Sequence, residues 1–287
     1  MGAADSRYCG DDEPTSPIPT EVRVRKLRSG MRVVTLPMRC HNVAAMVWVR
    51  VGSRDEAPPN RGVSHFLEHM LFKGTVRYPD QKAVAAELNS IGGVFNASTS
   101  QEWTNYYCKI PHTGSLRRAL RVLGQMVRQP LLRGDDMERE KGVVVEEIRK
   151  YMDLPERHVQ ELMMENAFAG NTLGEDIAGS EEEVRGYDPA FVRSYYAHFY
   201  RPENMTLVLA GPGVDRSDAL VVEAFGGAFD ATSDDPNPFV RRGAEAVERW
   251  KADAARRPSP PRNMRTEAQV RQVGDPRWRL SSSLTWR

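Results

Sequence analysis

Two histidines and a glutamate lie close together in the stretch GVSHFLEHMLFKGT, residues 62–75. His65 and His69 are four residues apart, so on a helix both imidazoles lie on one face and can bind the same metal ion. Glu68 borders that face, where a carboxylate can take a proton from a metal-activated water without itself binding the metal. The pattern predicts a zinc-dependent hydrolytic site with two histidine ligands and a general base.

The same stretch has a second interpretation, a core helix whose polar residues face solvent. The neighbours of the histidines are apolar: Phe66, Leu67, Met70, Leu71 and Phe72. Much of the helix is therefore expected to be buried. Two buried histidines and a carboxylate without partners would destabilise the fold, and a bound metal would remove that penalty. The motif alone leaves both interpretations open.

A catalytic zinc normally has three protein ligands, so a third is expected from another element. The segment EREKGVVVEEIRKYMD, residues 138–153, has a helical pattern. Glu140 and Glu147 are seven residues apart in it, nearly two full turns, and share a face, whereas Glu146 lies about 100° away from Glu147. Glu147 is a candidate third ligand. Glu140 could orient a ligand by contacting that ligand and not the metal itself. A solvated, charge-rich helix is the alternative for this segment.

The surrounding elements must position these residues. Strand-like segments are VRVRKL (22–27), MRVVTLPM (31–38), AAMVWVRVG (44–52), VFNASTS, EWTNYYCKI and NMTLVLAG (204–211). Helical patterns cover residues 64–73, 79–91, 114–128, 135–153, 155–169, 188–199 and 217–225. Strands that lead into clustered helices and then a further strand predict an α+β fold, a mostly antiparallel sheet with helices packed mainly on one face.

These motifs resemble the pitrilysin/insulinase/mitochondrial processing peptidase family of zinc metallopeptidases. The stretch G-x-x-H-F-L-E-H-M-L-F-K-G-T is similar to the family's inverted zinc signature, HxxEH. The similarity continues in order through GSRDE (52–56), LNSIGGVFNASTSQEWTNYY (88–107), EREKGVVVEEI (138–148), DLPE, NTLGEDIAGSEEEV and FYRPENMTLVLAG. It spans about residues 20–225.

The resemblance implies a zinc endopeptidase that hydrolyses short unfolded or presequence-like peptides. One Zn²⁺ per chain would be held by His65, His69 and Glu147. Glu68 would be the general base, and Glu140 a supporting acidic residue of the catalytic site.

The resemblance also implies a way of binding the substrate. Asn96 and Ala97, in VFNAST, match an edge strand that holds a peptide by β-augmentation, in which the peptide is read mainly through its backbone. The alternative is that this segment is simply a strand of the sheet.

Members of the family pair this domain with a second, similarly folded one, which supplies an Arg/Tyr pair to the site. The similarity ends near residue 225, so the chain resembles a single half-unit and implies a second-half domain or a partner subunit, in a hetero- or homodimer. The alternatives are a non-catalytic scaffold subunit related to processing peptidases and a truncated, inactive product. Scaffold relatives typically lose zinc ligands, and the presence of all of them here favours the peptidase.

Composition limits other functions. The chain has 40 Lys+Arg against 39 Asp+Glu, which gives no reason to expect a nucleic-acid partner. No apolar run approaches the ~20 residues of a transmembrane segment. Three cysteines outside any CxxC pattern predict no disulfide framework.

We expect three regions: a flexible leader (1–20), the metallopeptidase domain (21–228) and a Pro/Arg-rich tail (229–287) that is disordered. The leader is acidic and lacks an apolar core, so no targeting peptide is evident. Its Met-Gly-x-x-x-Ser start fits the minimal myristoylation pattern. The compartment stays open between the mitochondrial matrix and the cytoplasm.

Overall fold

A six-stranded sheet forms the centre of the fold in the computed structural model, which describes residues 22–226. Its strands are β1 (Arg23–Lys26), β2 (Arg32–Pro37), β3 (Val43–Val49), β4 (Val94–Thr99), β5 (Thr104–Ile110) and β6 (Met205–Gly211). Their spatial order is β1-β2-β6-β3-β5-β4. All neighbouring pairs are antiparallel except β2 and β6. The predicted mostly antiparallel α+β fold is therefore confirmed.

Eight α-helices accompany the sheet in this part of the chain. They are α1 (Val63–Met70), α2 (Gln81–Ser90), α3 (Leu116–Arg128), α4 (Gly134–Met152), α5 (Pro155–Ala167), α6 (Glu181–Gly186), α7 (Pro189–Phe199) and α8 (Asp218–Phe225). None of the helices within residues 22–226 combines the length and apolar character needed to cross a lipid bilayer. The predicted leader, with its myristoylation pattern, and the predicted tail lie outside the described residues.

The two central strands, β3 and β6, show how the sheet is covered by other elements. Along β3 and β6, buried residues alternate with half-buried ones, because successive side chains of a strand point to opposite faces. Helix α3 packs its buried apolar face on β3 and β5, and α8 packs on α3. The α3–α8 approach is close at Gly124, where a Cβ atom would lie 2.5 Å from the carbonyl oxygen of Ala224.

Several element boundaries differ from the predictions for local reasons. Helix α1 ends at Met70, three residues before its predicted end. Helix α6 was not predicted, because it is short; a capping box between Ser180 and Glu183 begins it. Helix α8 begins at Asp218, one residue after its predicted start, and the hydroxyl of the N-cap residue Ser217 donates to the carbonyl oxygen of Val214 at 2.6 Å instead of capping the helix.

Three elements converge on the predicted site. Helix α1 carries the HxxEH residues and packs against both α4 and β4. Helix α4 carries the predicted acidic pair. Strand β4 forms one edge of the sheet, because β5 is its only sheet neighbour in the described residues. This arrangement places the metal-binding motif beside an open strand edge.

Candidate metal centre

Three ligand atoms converge between α1 and α4. Glu147 Oε2 lies 3.8 Å from His65 Nε2 and 3.2 Å from His69 Nε2. One ligand atom from each residue lies within 4.8 Å of the others, and no other such group of His, Cys, Asp or Glu occurs within residues 22–226. Zinc–nitrogen distances of ~2.0–2.1 Å in a tetrahedron place ligand atoms ~3.4 Å apart. The observed separations fit that ion.

Helix geometry explains why Glu147 faces the histidines and its neighbour does not. The side chain of Glu147 is 25% exposed, whereas that of Glu146 is 71% exposed and pairs with Arg149 at 2.8 Å. The two positions differ by about 100° around α4, so only one of them can point at α1.

A chain of polar contacts links His69, Glu140 and Lys73. His69 Nδ1 lies 2.9 Å from Glu140 Oε1, and Glu140 Oε2 lies 2.5 Å from Lys73 Nζ. Glu140 is buried, with 3% of its surface exposed. Burial favours its neutral form, but hydrogen bonds from His69 and Lys73 outweigh that effect and lower the pKa of Glu140. The ionised carboxylate therefore fixes the His69 ring with Nε2 towards Glu147, as partners of metal-bound histidines commonly do.

Glu147 and Glu68 also have partners that hold them in place. The hydroxyl of Tyr151 donates to Glu147 Oε1, and the Arg157 guanidinium lies 3.8 Å from the centre of the Tyr151 ring. The hydroxyl of Thr99, at the end of β4, donates to Glu68 Oε2 at 2.5 Å. Burial raises the pKa of Glu68, partly offset by this hydrogen bond and by His69. A carboxylate with a raised pKa is better matched to taking and returning a proton near neutrality.

The two histidines differ in protonation. Burial, with the nearby His69 charge, lowers the pKa of His65 to about 4, so this imidazole is neutral at physiological pH. Burial would also lower the pKa of His69, but its contacts with Glu140 and Glu147 outweigh burial and raise that pKa to about 9. The hydrogen bond to His69 is the main reason that the pKa of Glu147 falls to about 2.

Zinc uptake is therefore expected to release about one proton per chain at pH 7.5, because zinc requires a neutral imidazole and His69 starts protonated. Because the pKa of His69 is raised to about 9, the apparent zinc affinity should rise about tenfold per pH unit up to roughly pH 9. Calorimetric titration in two buffers with different ionisation enthalpies measures the released proton. A binding heat that is the same in both buffers would contradict this assignment of the His69 proton.

The candidate centre opens into a cleft of about 1080 Å³. Its walls include Asn96 and Ala97 of β4, as well as residues from α4, α5 and the segment 174–183. A cleft of this size is large enough for a peptide segment of several residues. The predicted substrate-binding residues thus line the same space as the predicted ligands.

Three residues that hydrogen-bond to predicted site residues were not identified from sequence: Lys73, Thr99 and Tyr151. Tyr151 lies four residues after Glu147 on α4, so helical spacing could have indicated it. Lys73 lies beyond the end of α1 and meets Glu140 through tertiary packing. Thr99 is brought to Glu68 by tertiary packing of β4 on α1, which no local spacing signals.

Comparisons with known proteins agree with this chemistry. The sequence profile described as Insulinase (Peptidase family M16) matches residues 32–181. The uncharacterized zinc protease YmxG of Bacillus subtilis is 36% identical over 192 residues, which cover 66% of this chain and 46% of that protein. An uncharacterized zinc protease of Mycobacterium tuberculosis is 38% identical over 207 residues, 70% of this chain and 46% of the relative. The chain spans about half the length of these curated relatives.

A solved structure has a similar fold. The first half of the periplasmic protease PqqL from Escherichia coli is 25% identical, with a TM-score of 0.66, over 74% of this chain and 47% of that one. Zinc is the metal named in both curated relatives, and a ligand set of two imidazoles and one carboxylate is one that catalytic zinc uses.

Proposed function

This chain belongs to the insulinase family, peptidase family M16, and we propose from that premise that it is the zinc-bearing half of an endopeptidase acting on short unfolded or presequence-like peptides. One observation carries the proposal. His65, His69 and Glu147 offer three converging ligand atoms, with Glu68 beside them in an open cleft. A core helix whose polar residues merely face solvent would not require ligand atoms from two helices to converge.

The proposed reaction is hydrolysis of a peptide bond. Zinc, when bound, acts as a Lewis acid and makes water a nucleophile near neutral pH. The carboxylate of Glu68 takes a proton from the attacking water as its oxygen bonds to the carbonyl carbon. Glu68 then returns that proton to the amide nitrogen, and the C–N bond breaks to give a free carboxylate and an amine. Thr99 holds the Glu68 carboxylate in one orientation through the step.

The open edge of β4 supports substrate binding by β-augmentation. The Ser100 amide donates to the Trp103 carbonyl at 2.8 Å, which makes these two a hydrogen-bonded pair of the β4–β5 hairpin. Hydrogen-bonded and non-hydrogen-bonded pairs alternate in an antiparallel ladder, so the backbone groups of Phe95, Ala97 and Thr99 face away from β5. An extended peptide can use these groups as a neighbouring strand would.

Asn96 has a specific place in this edge. Its side-chain oxygen accepts the outward N–H of Ala97 at 2.9 Å. We assign Asn96 and Ala97 to substrate binding on this basis: a peptide carbonyl would replace the Asn96 oxygen on that N–H. The displaced Asn96 amide would then be free to bind the peptide backbone.

The charge of the cleft favours basic peptides. Eight carboxylates line it: Glu68, Glu147, Glu161, Glu165, Glu175, Asp176, Glu181 and Glu183. Within residues 22–226 the lining contains two arginines, Arg61 and Arg157, and no lysine, and Arg61 is already paired with Glu175 at 2.9 Å. A cleft lined mainly by negatively charged side chains attracts a positively charged substrate. This supports presequence-like peptides as the substrate class.

The remaining half of the relatives' length motivates the proposal of a partner. We propose that a second-half domain or partner subunit closes the cleft, as a heterodimer or homodimer. The test is cleavage of a quenched fluorescent basic peptide by the zinc-loaded chain, alone and mixed with a candidate second half. We expect cleavage that chelation abolishes and that the second half increases.

A matched peptide with its basic residues replaced by glutamate serves as the control and should be cut more slowly. Absence of zinc-dependent cleavage in every mixture, for a protein that does bind zinc, would favour the non-catalytic scaffold instead.

A further inference from the structure

Helix α1 cannot provide its own N-terminal cap. Its N-cap residue, Gly62, has φ +83 and offers no side chain, and a Cβ atom there would lie 2.1 Å from the carbonyl oxygen of Ala178. The opposing Gly179 is equally confined, because its Cβ would lie 2.3 Å from the carbonyl oxygen of Arg61. The first N–H groups of a helix need partners. At this helix they must come from elsewhere in the fold.

Glu56, the last residue of the GSRDE segment, provides them. Its Oε2 accepts the N–H of Gly62 at 2.5 Å, and its Oε1 accepts the N–H of Ser64 at 2.7 Å. Glu56 is 8% exposed, so water competes little for these bonds. Both carboxylate oxygens therefore hold the turn that precedes His65.

The segment containing Glu56 is also tied to the substrate edge. The Ser53 amide donates to the Ser100 carbonyl at 3.2 Å, and the Arg54 amide donates to the Gln101 carbonyl at 2.9 Å. Ser100 and Gln101 directly follow β4. The 52–56 segment thus connects the end of β4 to the first turn of α1.

Keeping a carboxylate in this place destabilises the fold. Burial raises the pKa of Glu56 to about 7, the N–H groups of Ser64 and Gly62 oppose that rise, and the nearby Glu183 carboxylate adds to it. A buried carboxylate with another carboxylate nearby and no cation among the groups that shift its pKa is ionised at a cost in stability. Its position at the helix that carries the metal-binding motif indicates what it does.

We propose that Glu56 is a positioning residue that fixes the first turn of α1 against the end of β4, and so sets where His65 and Glu68 stand relative to Glu147 and the substrate edge. This inference rests on the proposed zinc site. Glu56 acts through the helix and touches neither metal nor substrate.

The test compares two capping carboxylates in the metal-free and zinc-titrated protein. Glu56→Gln preserves side-chain volume and one acceptor but removes the charge and the second acceptor. Asp80→Asn is the matched control, because Asp80 Oδ1 caps α2 through the Ala83 N–H at 2.8 Å, on a helix that carries no predicted site residue. Hydrogen exchange of the metal-free protein and the zinc dissociation constant are both measured.

For Glu56→Gln we expect amide exchange to accelerate about tenfold within residues 62–70, and zinc binding to weaken about tenfold, the scale of outer-layer changes at metal sites. Asp80→Asn should confine any acceleration of exchange to the region of α2, since asparagine is also a good N-cap, and leave the zinc dissociation constant unchanged. Glu56→Asp, which keeps the charge on a shorter side chain, should fall between wild type and Glu56→Gln; it also serves if Glu56→Gln does not fold.

Unchanged exchange in 62–70 with unchanged zinc affinity would overturn the inference, as would equal loss of zinc affinity in Asp80→Asn. Wild-type protein that binds no zinc would instead overturn the proposed function and, with it, the role assigned to Glu56. The exchange measurement needs no metal, so the two failures are distinguishable.

Discussion

Replacing Glu68 with Gln is expected to lower kcat for peptide hydrolysis by on the order of 10²–10⁴-fold, while the variant still binds one zinc per chain. Glutamine keeps the size of the side chain and can still accept the Thr99 hydroxyl bond. It cannot take a proton from water. Steady-state cleavage of a fluorescent peptide and metal analysis of the same preparation measure the two effects separately.

The matched control is Glu146→Gln, which removes one carboxylate from an exposed position of α4. Cleavage and zinc content should both remain at the wild-type level in that variant. Glu68→Gln protein that cuts as fast as wild type would remove Glu68 from the reaction. Loss of zinc together with activity would make it a ligand or a structural residue instead.

Replacing Glu147 with Gln is expected to weaken zinc binding by more than ~100-fold, since changes one layer further out already weaken metal sites by ~10–100-fold. The substitution removes a charged ligand that lies 3.2 Å from His69 Nε2. Competition with a chromophoric chelator gives the dissociation constant. The Glu146→Gln variant is the matched control, because it removes the same charge from the adjacent residue, whose side chain does not face the histidines. The difference between the two variants measures the effect of coordination apart from that of charge.

Zinc affinity that falls equally in the two variants would mean that net charge, and not coordination, holds the metal. Zinc affinity that falls only in Glu146→Gln would reverse the assignment and place the other face of α4 against α1. Of these two carboxylates, only Glu147 faces the histidines.

The local periodicity of helices explains what sequence alone could establish. His65 and His69 share a face because they are four residues apart, and Glu147 shares one with Glu140 because seven residues make nearly two turns. These spacings predicted which side chains would face together before any tertiary packing was known. The family resemblance then identified α1 and α4 as partners, and the fold has them in contact.

Contacts between separate elements explain what sequence could not establish. Glu56 hydrogen-bonds to the N-terminus of α1, where a glycine pair, Gly62 and Gly179, lets two backbone segments touch. Thr99 meets Glu68 only because β4 packs on α1. Neither contact has a sequence spacing that would signal it, since both depend on how separate elements pack.

A non-catalytic scaffold subunit would have the same fold, but it would not need the same arrangement of site residues. A structural subunit needs the α1–α4 packing and the sheet, and it does not need Glu68 aligned by a hydroxyl or His69 aligned by a buried carboxylate. These alignments are the reason to prefer catalysis. Glu68 and Glu147 are half-buried at the cleft and outside the hydrophobic core, so substitutions there are expected to change chemistry and metal binding without unfolding the protein.

Zinc stoichiometry of the purified chain tests the central claim most directly. Wild-type protein, loaded with zinc and then freed of loosely bound metal, should retain about one zinc per chain, the number that a single three-ligand site holds. His69→Ala treated in the same way should retain almost none. Wild-type protein that retains no zinc, or His69→Ala protein that retains as much as wild type, would contradict the assignment of this centre.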